Sequence, residues 1–371
     1  YLETIKRSSE ALITVIDDVM DLSKIEAGRV DLQLVPFDVA AFVHDALNAV
    51  AVRAHQKELD LVWDQDAALP AMVTTDPARL RQVLVNLLVN AVKFTHVGSV
   101  RVHVQVAAPV DPSGQTLLEL RVADTGLGMP PAQQDAIRQM LLEAGGGTPQ
   151  LFEGTGLGLP ICARLVHLMG GRLALVSQEG QGSTFSVTIP IAVAVGALAS
   201  VEAPPQELAG RDLLLVDRHR ASRDVLAAWL REWGALVTCA EDDGALGALL
   251  WEKPWGLVLI DRASLASVRQ DAEAVSRKGV PVVGLALTSD LLPGAEAALL
   301  FGTTLLKPLR RPTVAAVIAA ALSRALAEAT QQASAPMPSL AAPRVVRAPK
   351  VLAADDNALN LRVIKELLEH R

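Results

Sequence analysis

The sequence predicts a multidomain α/β protein: a bundle-forming helix, a mixed α/β domain, a doubly wound α/β domain and the beginning of another. Three observations predict this. An apolar stripe with steps of three and four opens the chain, strand-like and helix-like segments then alternate in two different orders, and Pro-rich stretches separate the blocks. At 371 residues the chain is also too long for one typical core.

The first element is a helix over residues 1–27, closed by Gly28 at a C-cap position. Leu2, Ile5, Ser9, Leu12, Ile16, Val19 and Ser23 form its stripe. Such a stripe is either the seam of a coiled coil or bundle, or the inner face of an ordinary amphipathic helix. From residue 29 to 195 the order is mixed, with strands expected at 101–107, 117–123 and 184–190 and helices at 76–94 and 159–169. That pattern suits a sheet covered on one face by helices. A linker with Pro204-Pro205 spans 196–210. Residues 211–328 repeat a strand–helix rhythm in which 213–216, 257–260 and 280–285 are short apolar runs of the buried parallel kind. Helices are expected between them, at 223–233 and 263–277. A second linker at 329–349 is rich in Ala, Pro and Ser, and 350–371 reads as one strand and one helix. One strand and one helix are not a fold, and Tyr1 is not an initiator methionine, so a truncated chain is expected at both ends.

Bulk properties narrow the function. The net charge of −7 argues against a nucleic-acid surface, which needs clustered Lys and Arg. No apolar run reaches the length of a membrane span, so any membrane anchor is expected outside these residues. Two cysteines, Cys162 and Cys239, in separate segments suit a reducing, cytoplasmic compartment rather than a disulfide framework.

The residues that carry chemistry lie in three clusters. The helix at 76–94 opens with Asp-Pro, an N-cap followed by proline at the first helical position. Its Asn86, Asn90 and Lys93 share one stripe, although asparagine is a poor residue for a helix interior. A solvated polar face would account for the stripe, and so would a Mg²⁺–triphosphate held by amides and an ammonium. Asp124-Thr125-Gly126-Leu127-Gly128 ends a strand, where a carboxylate can accept from an exocyclic amine and glycines let the backbone come close. Gly154-Thr155-Gly156-Leu157-Gly158 leads into a helix whose free N–H groups suit phosphate oxygens. It is neither a dinucleotide fingerprint nor a P-loop, because no βαβ unit surrounds it and no Gly-Lys-Ser/Thr follows.

In this order, and followed by Gly180-x-Gly182-Ser183-Thr184-Phe185, these elements closely resemble the N, G1 and G2 boxes of histidine kinases. Residues 1–28 resemble the second helix of their dimerisation and histidine-phosphotransfer domain. The resemblance implies a GHKL-type α/β sandwich binding ATP and Mg²⁺ within a hybrid sensor kinase of a bacterial phosphorelay. It implies that Asn90 ligates Mg²⁺ and that Asn86 and Lys93 contact phosphates. Phe94 would line the base, Asp124 would recognise the adenine amine, and Thr184 would pack beside Asp124. Residues 154–158 would end the ATP lid. Homodimerisation through residues 1–28 is implied as well, with receiver and phosphotransfer domains as partners. Gyrase-type and MutL-type ATPases of this fold place a glutamate base where Asn86 stands, so transfer to a protein histidine is the better reading than hydrolysis.

Two features depart from the family. The segment between Met129 and Gly154 lacks the usual pair of phenylalanines and runs Ile137-Arg138-Gln139-Met140-Leu141-Leu142. The phosphoacceptor motif is absent, and His44-Asp45 matches only its first dipeptide, so residues 1–371 alone are not expected to autophosphorylate. The alternative function is a nucleotide-binding signalling scaffold that transfers no phosphate.

Residues 211–328 resemble a response-regulator receiver of the flavodoxin-like kind. Asp217, Asp261 and the pair Lys307-Pro308 match its acidic residue, phosphoacceptor and lysine with cis-proline. Arg218 replaces the second acidic residue, and a fixed cation there opposes metal binding, so a degenerate receiver is expected. Asp355-Asp356-Asn357 resembles the start of a second receiver with both acids intact.

Overall fold

The computed structural model describes residues 31–66, 68–143, 158–193, 205–241, 246–287 and 303–333, with Met20 and Ser23 besides. The expected opening helix as a whole, residues 154–157, Asp355 and Asp356 lie outside the described residues. Contacts divide the chain into residues 1–329 and 330–371, and the second part is described only over residues 330–333.

The first layered domain contains β1 (Val35–Asp38), α1 (Val39–Gln56), β2 (Asp60–Gln65), β3 (Met72–Thr75) and α2 (Pro77–Phe94). It continues with β4 (Ser99–Val106), β5 (Gln115–Asp124), α3 (Pro131–Glu143), α4 (Gly158–Leu168), β6 (Arg172–Gln178) and β7 (Gly182–Val193). Its strands form one sheet in the order β1-β3-β7-β5-β4-β2, with β6 also pairing with β7. Only β2 and β4 run parallel; the other pairs are antiparallel. Alternation along β5 buries Thr116, Leu118, Leu120 and Val122, and the facing β7 positions Phe185, Val187, Ile189 and Ile191 complete that side. The stripes of α1, α2 and α4 cover it: Val43 and Leu47 from the first, Leu84, Leu87 and Leu88 from the second, Ile161 and Leu165 from the third.

Helix α2 shows why local sequence fixes this layer. Asp76 is the N-cap, and its carboxylate accepts from Ala78 N and Arg79 N at 3.0 Å each and from Gln33 N at 2.9 Å. Pro77 sits where no intrahelical N–H is needed. Because Asp76 is buried, Asp76→Ala strands three donors, and a loss of about 1–2 kcal/mol is expected in chemical unfolding.

The second domain contains β8 (Asp212–Val216), α5 (Arg220–Glu232), β9 (Leu236–Ala240), α6 (Leu246–Glu252) and β10 (Leu257–Asp261). Then come α7 (Arg262–Ser267), α8 (Arg269–Arg277), β11 (Val282–Leu287), β12 (Thr304–Lys307) and α9 (Arg311–Ala333). All five strands are parallel, in the order β12-β11-β10-β8-β9. One core lies under α5 and α9, with Leu213, Leu215, Leu226, Ile318 and Leu322; another lies under α6 to α8, with Val216, Leu250, Ile260 and Val275. Helices on both faces of a parallel sheet make the doubly wound arrangement that the apolar strand runs predict.

One expected element needs correction. The helix expected at 263–277 is two helices broken at Val268, which has φ −123° and ψ 27°. The run 137–142 belongs to a helix, α3, whose Ile137 and Met140 are buried against the sheet domain.

Candidate functional site

The N-stripe of α2 and the Asp124 turn meet at one end of the first sheet. Asn86 and Asn90 are half-buried on α2, while Lys93 and Phe94 are exposed in its last turn. Lys93 Nζ stands 4.9 Å from the centre of the Phe94 ring. The Phe94 carbonyl accepts from Leu127 N at 3.3 Å, which ties the helix end to the Asp124-x-Gly126 turn. Asp124 ends β5, and its Oδ1 accepts from Gly126 N at 2.9 Å. Burial pushes the Asp124 carboxyl above the usual carboxylate range, against the opposing effect of the Gly126 and Ser183 N–H groups.

Glycines let the turn close. A Cβ on Gly126 would lie 2.5 Å from the Phe94 carbonyl oxygen. Gly182 has φ +103°, and a Cβ there would lie 1.9 Å from the Asp124 carbonyl oxygen. On the other side, α4 packs on α2, and Cys162 Sγ donates to the Val83 carbonyl at 3.7 Å. A Cβ on Gly158, the first residue of α4, would meet the Asn86 amide at 3.7 Å, so the N-terminus of α4 faces the asparagine stripe. Amides, an ammonium and a helix N-terminus on one side suit phosphates, and a raised carboxyl on the other suits an amine donor.

The expected position of Thr184 is corrected. Thr184 pairs with Ala123, and Ser183 pairs with Asp124, so Ser183 shares the Asp124 face of the sheet. Ser183 is buried, and its Oγ lies 3.0 Å from Ser177 Oγ. Only the register reveals this; a Ser-Thr pair in sequence does not say which member points inward. Sequence reasoning also missed Lys57. Its Nζ donates to the carbonyls of Val92, Lys93 and Thr95 at 2.7, 3.1 and 3.3 Å, closing the C-terminus of α2. His44 is half-buried on α1; burial and the Arg310 charge lower its pKa, with Asp45 opposing.

The doubly wound domain brings Asp217, Asp261 and Lys307 to the carboxyl ends of β8, β10 and β12, all buried. Lys307 Nζ donates to Asp217 Oδ2 at 2.6 Å, and the Lys307–Pro308 peptide is cis. Asp261 Oδ2 accepts from Ser264 Oγ at 2.7 Å and from Arg218 N at 3.1 Å. Burial alone would raise the Asp217 carboxyl, but the His219 side chain and the Lys307 ammonium hold it below the usual range. Arg218 differs from expectation: its guanidinium turns away to Glu58, 3.8 Å off, and only its backbone N–H enters the pocket. Among the described residues no group of three or more His, Cys, Asp or Glu is arranged to hold a metal ion. No described helix is long and apolar enough to cross a membrane.

Residues 75–193 match the family described as histidine kinase-, DNA gyrase B- and HSP90-like ATPases. The whole chain aligns at 30% identity with the sensor histidine kinase GacS of Pseudomonas protegens, over 40% of that protein. It aligns at 31% identity with the histidine-protein kinase BarA of Escherichia coli, over 39% of its length. The chain is a relative of the hybrid sensor histidine kinases. The aerobic respiration control sensor ArcB of Escherichia coli shares 32% identity over 86% of this chain and 41% of that kinase. The chain thus spans about two fifths of the length of these relatives. Among solved structures, full-length ShkA in complex with AMPPNP superposes at a TM-score of 0.64 and 27% identity, covering 100% of this chain and 72% of that one. The alignment spans both layered domains of this chain, since the whole chain is covered.

Proposed function

We propose that residues 29–195 are the ATP-binding catalytic domain of a protein histidine kinase, passing the γ-phosphoryl of ATP to a histidine and on to receiver aspartates. The observation that carries this is the meeting of Asp124, the Asn86–Asn90–Lys93 stripe and the α4 N-terminus at one end of the sheet, with an amide where a water-activating carboxylate would stand. The Asp124 carboxylate accepts from the adenine amine, and the Phe94 edge lines the base. Asn86, Lys93 and the glycine run 154–158 bind phosphate oxygens. The donor set fits Mg²⁺, which takes few protein oxygens and the rest from water and phosphate; the Asn90 amide oxygen would hold it. When bound, the ion neutralises charge on the transferring phosphoryl group. Residues 1–28 are the dimerising helix, so the working unit is a homodimer, and receiver and phosphotransfer domains are its partners. Residues 211–328 are a receiver with one acidic residue replaced, and Asp355 and Asp356 open a second one.

The test is incubation with γ-labelled Mg-ATP and a histidine-bearing phosphotransfer domain supplied as a separate chain. Alkali-stable label on that domain is expected. Measurable nucleotide binding with no label on any protein would favour the signalling scaffold, a reading supported by Arg218 in the second receiver-like acidic position.

The raised Asp124 carboxyl gives a pH prediction. Only the ionised form accepts fully from the amine, so nucleotide affinity is present above its pKa and lost as pH falls through it. The loss is expected to begin at a higher pH than an ordinary aspartate would give. Titrations of Mg-ATP binding against pH check this, and Asp124→Asn should bind weakly with a flat profile.

A further inference from the structure

The turn between α1 and β2 reaches in two directions. On one side Lys57 holds three carbonyls at the end of α2, the helix carrying Asn90, Lys93 and Phe94. On the other side Asp60, buried at the start of β2, accepts from Ser222 N at 2.8 Å and from Ser222 Oγ. Ser222 is in the first turn of α5, in the doubly wound domain. The N-cap residue of that helix, His219, makes no side-chain capping bond, so the cap comes from the other domain. Between these residues stands Glu58, with φ 56°, the one non-glycine residue with positive φ among those described. Its carboxylate faces Arg218. Such a conformation persists only where its surroundings fix it. From the same residue, Asp60 N donates to the Gly98 carbonyl at 2.9 Å, and the neighbouring Ser99 carbonyl accepts from Thr125 N at 3.1 Å, beside Asp124. A second contact lies along β2: buried Trp63 donates from Nε1 to the Leu309 carbonyl at 2.9 Å, two residues after Lys307.

We propose that residues 57–60 form a docking joint through which the doubly wound domain braces the nucleotide helix, so that docking and nucleotide binding favour each other. The proposal rests on the nucleotide reading above. Docking fixes Asp60 and Glu58, the fixed turn keeps Lys57 on the α2 carbonyls, and those carbonyls set the position of Lys93 and Phe94. Release of α5 frees the turn and lets the last turn of α2 fray. By linkage, bound nucleotide then strengthens docking by the same factor by which docking strengthens nucleotide binding.

The test uses the full chain with Cys239→Ser, and spin labels on Asp135→Cys and Arg277→Cys, both exposed, one in each domain. Distance distributions and Mg-ATP titrations are recorded for this parent, Asp60→Ala, Ser222→Ala and Lys57→Met, with thermal melts confirming folding. Asp60→Ala and Ser222→Ala should broaden the distribution, and Asp60→Ala should weaken Mg-ATP binding about fivefold or more. Lys57→Met should weaken binding while the nucleotide-free distribution stays narrow. Mg-ATP should narrow the distribution of Ser222→Ala. An unchanged distribution in Asp60→Ala overturns the docking role, and a broadened one with unchanged affinity overturns the coupling. If the parent itself binds no nucleotide, the catalytic reading fails and the coupling with it, while the distances still decide the docking.

Discussion

Asn90→Ala should abolish phosphoryl transfer while leaving the fold intact. Asn90 is half-buried on α2 and lies outside the apolar cluster that holds Leu87, Leu88 and Ala91. Alanine is the better helix former by several tenths of a kcal/mol, so the melting temperature should hold or rise slightly. Transfer should fall roughly a thousandfold or more, about 4 kcal/mol of transition-state stabilisation, because the only protein oxygen assigned to Mg²⁺ is gone. Nucleotide binding should fall much less, since Asp124 and the phosphate-facing N–H groups remain. Single-turnover labelling of the supplied phosphotransfer domain with γ-labelled ATP, beside a binding titration, separates the two quantities. Equal losses of binding and transfer would mean that the residue holds nucleotide without acting on the transferring group. An unstable variant would mean that the asparagine stripe is structural.

Much of this arrangement was legible in the sequence because it is written in local signals. The Asp76-Pro77 start of α2, the Asn86–Asn90–Lys93 spacing and the apolar strand runs of the second sheet each depend on neighbours within a few residues. What escaped depends on register and on distant contacts. Ser183, not Thr184, shares the face of Asp124, because ten β5 residues are laid against β7 from Gln115–Ala192 to Asp124–Ser183. Lys57 looks like any surface lysine until α1 brings it against the end of α2, 35 residues later in the chain. Arg218 stands beside Asp217, but its side chain turns to Glu58 of the other domain, which no local pattern announces. The β1–β3 segments were not anticipated, since 4-residue strands such as β1 and β3 carry too short a period to be told from loop.

Gly182→Ala should be strongly destabilising. Two independent costs fall on it. The backbone angle of +103° is one that an L side chain seldom adopts, at about 1–3 kcal/mol. The added carbon would also sit 1.9 Å from the Asp124 carbonyl oxygen and 2.9 Å from Thr125 Cα, both backbone atoms that cannot swing aside. Relief requires the β5–β7 ladder to open at the Asp124–Ser183 pair, which adds an overpacking cost of about 1–3 kcal/mol. A total loss of about 2–6 kcal/mol is expected, together with loss of nucleotide binding, because the strand end that aims Asp124 is the one displaced. Gly180→Ala is the control. Gly180 has φ +76° but nothing within 4 Å of a Cβ, so it carries the conformational cost alone, about 1 kcal/mol. Chemical unfolding of the two variants, with Mg-ATP titration of each, therefore separates strain in the turn from collision with the base-recognition strand. Equal effects at both glycines would place the whole cost in the turn and remove the steric argument for Gly182.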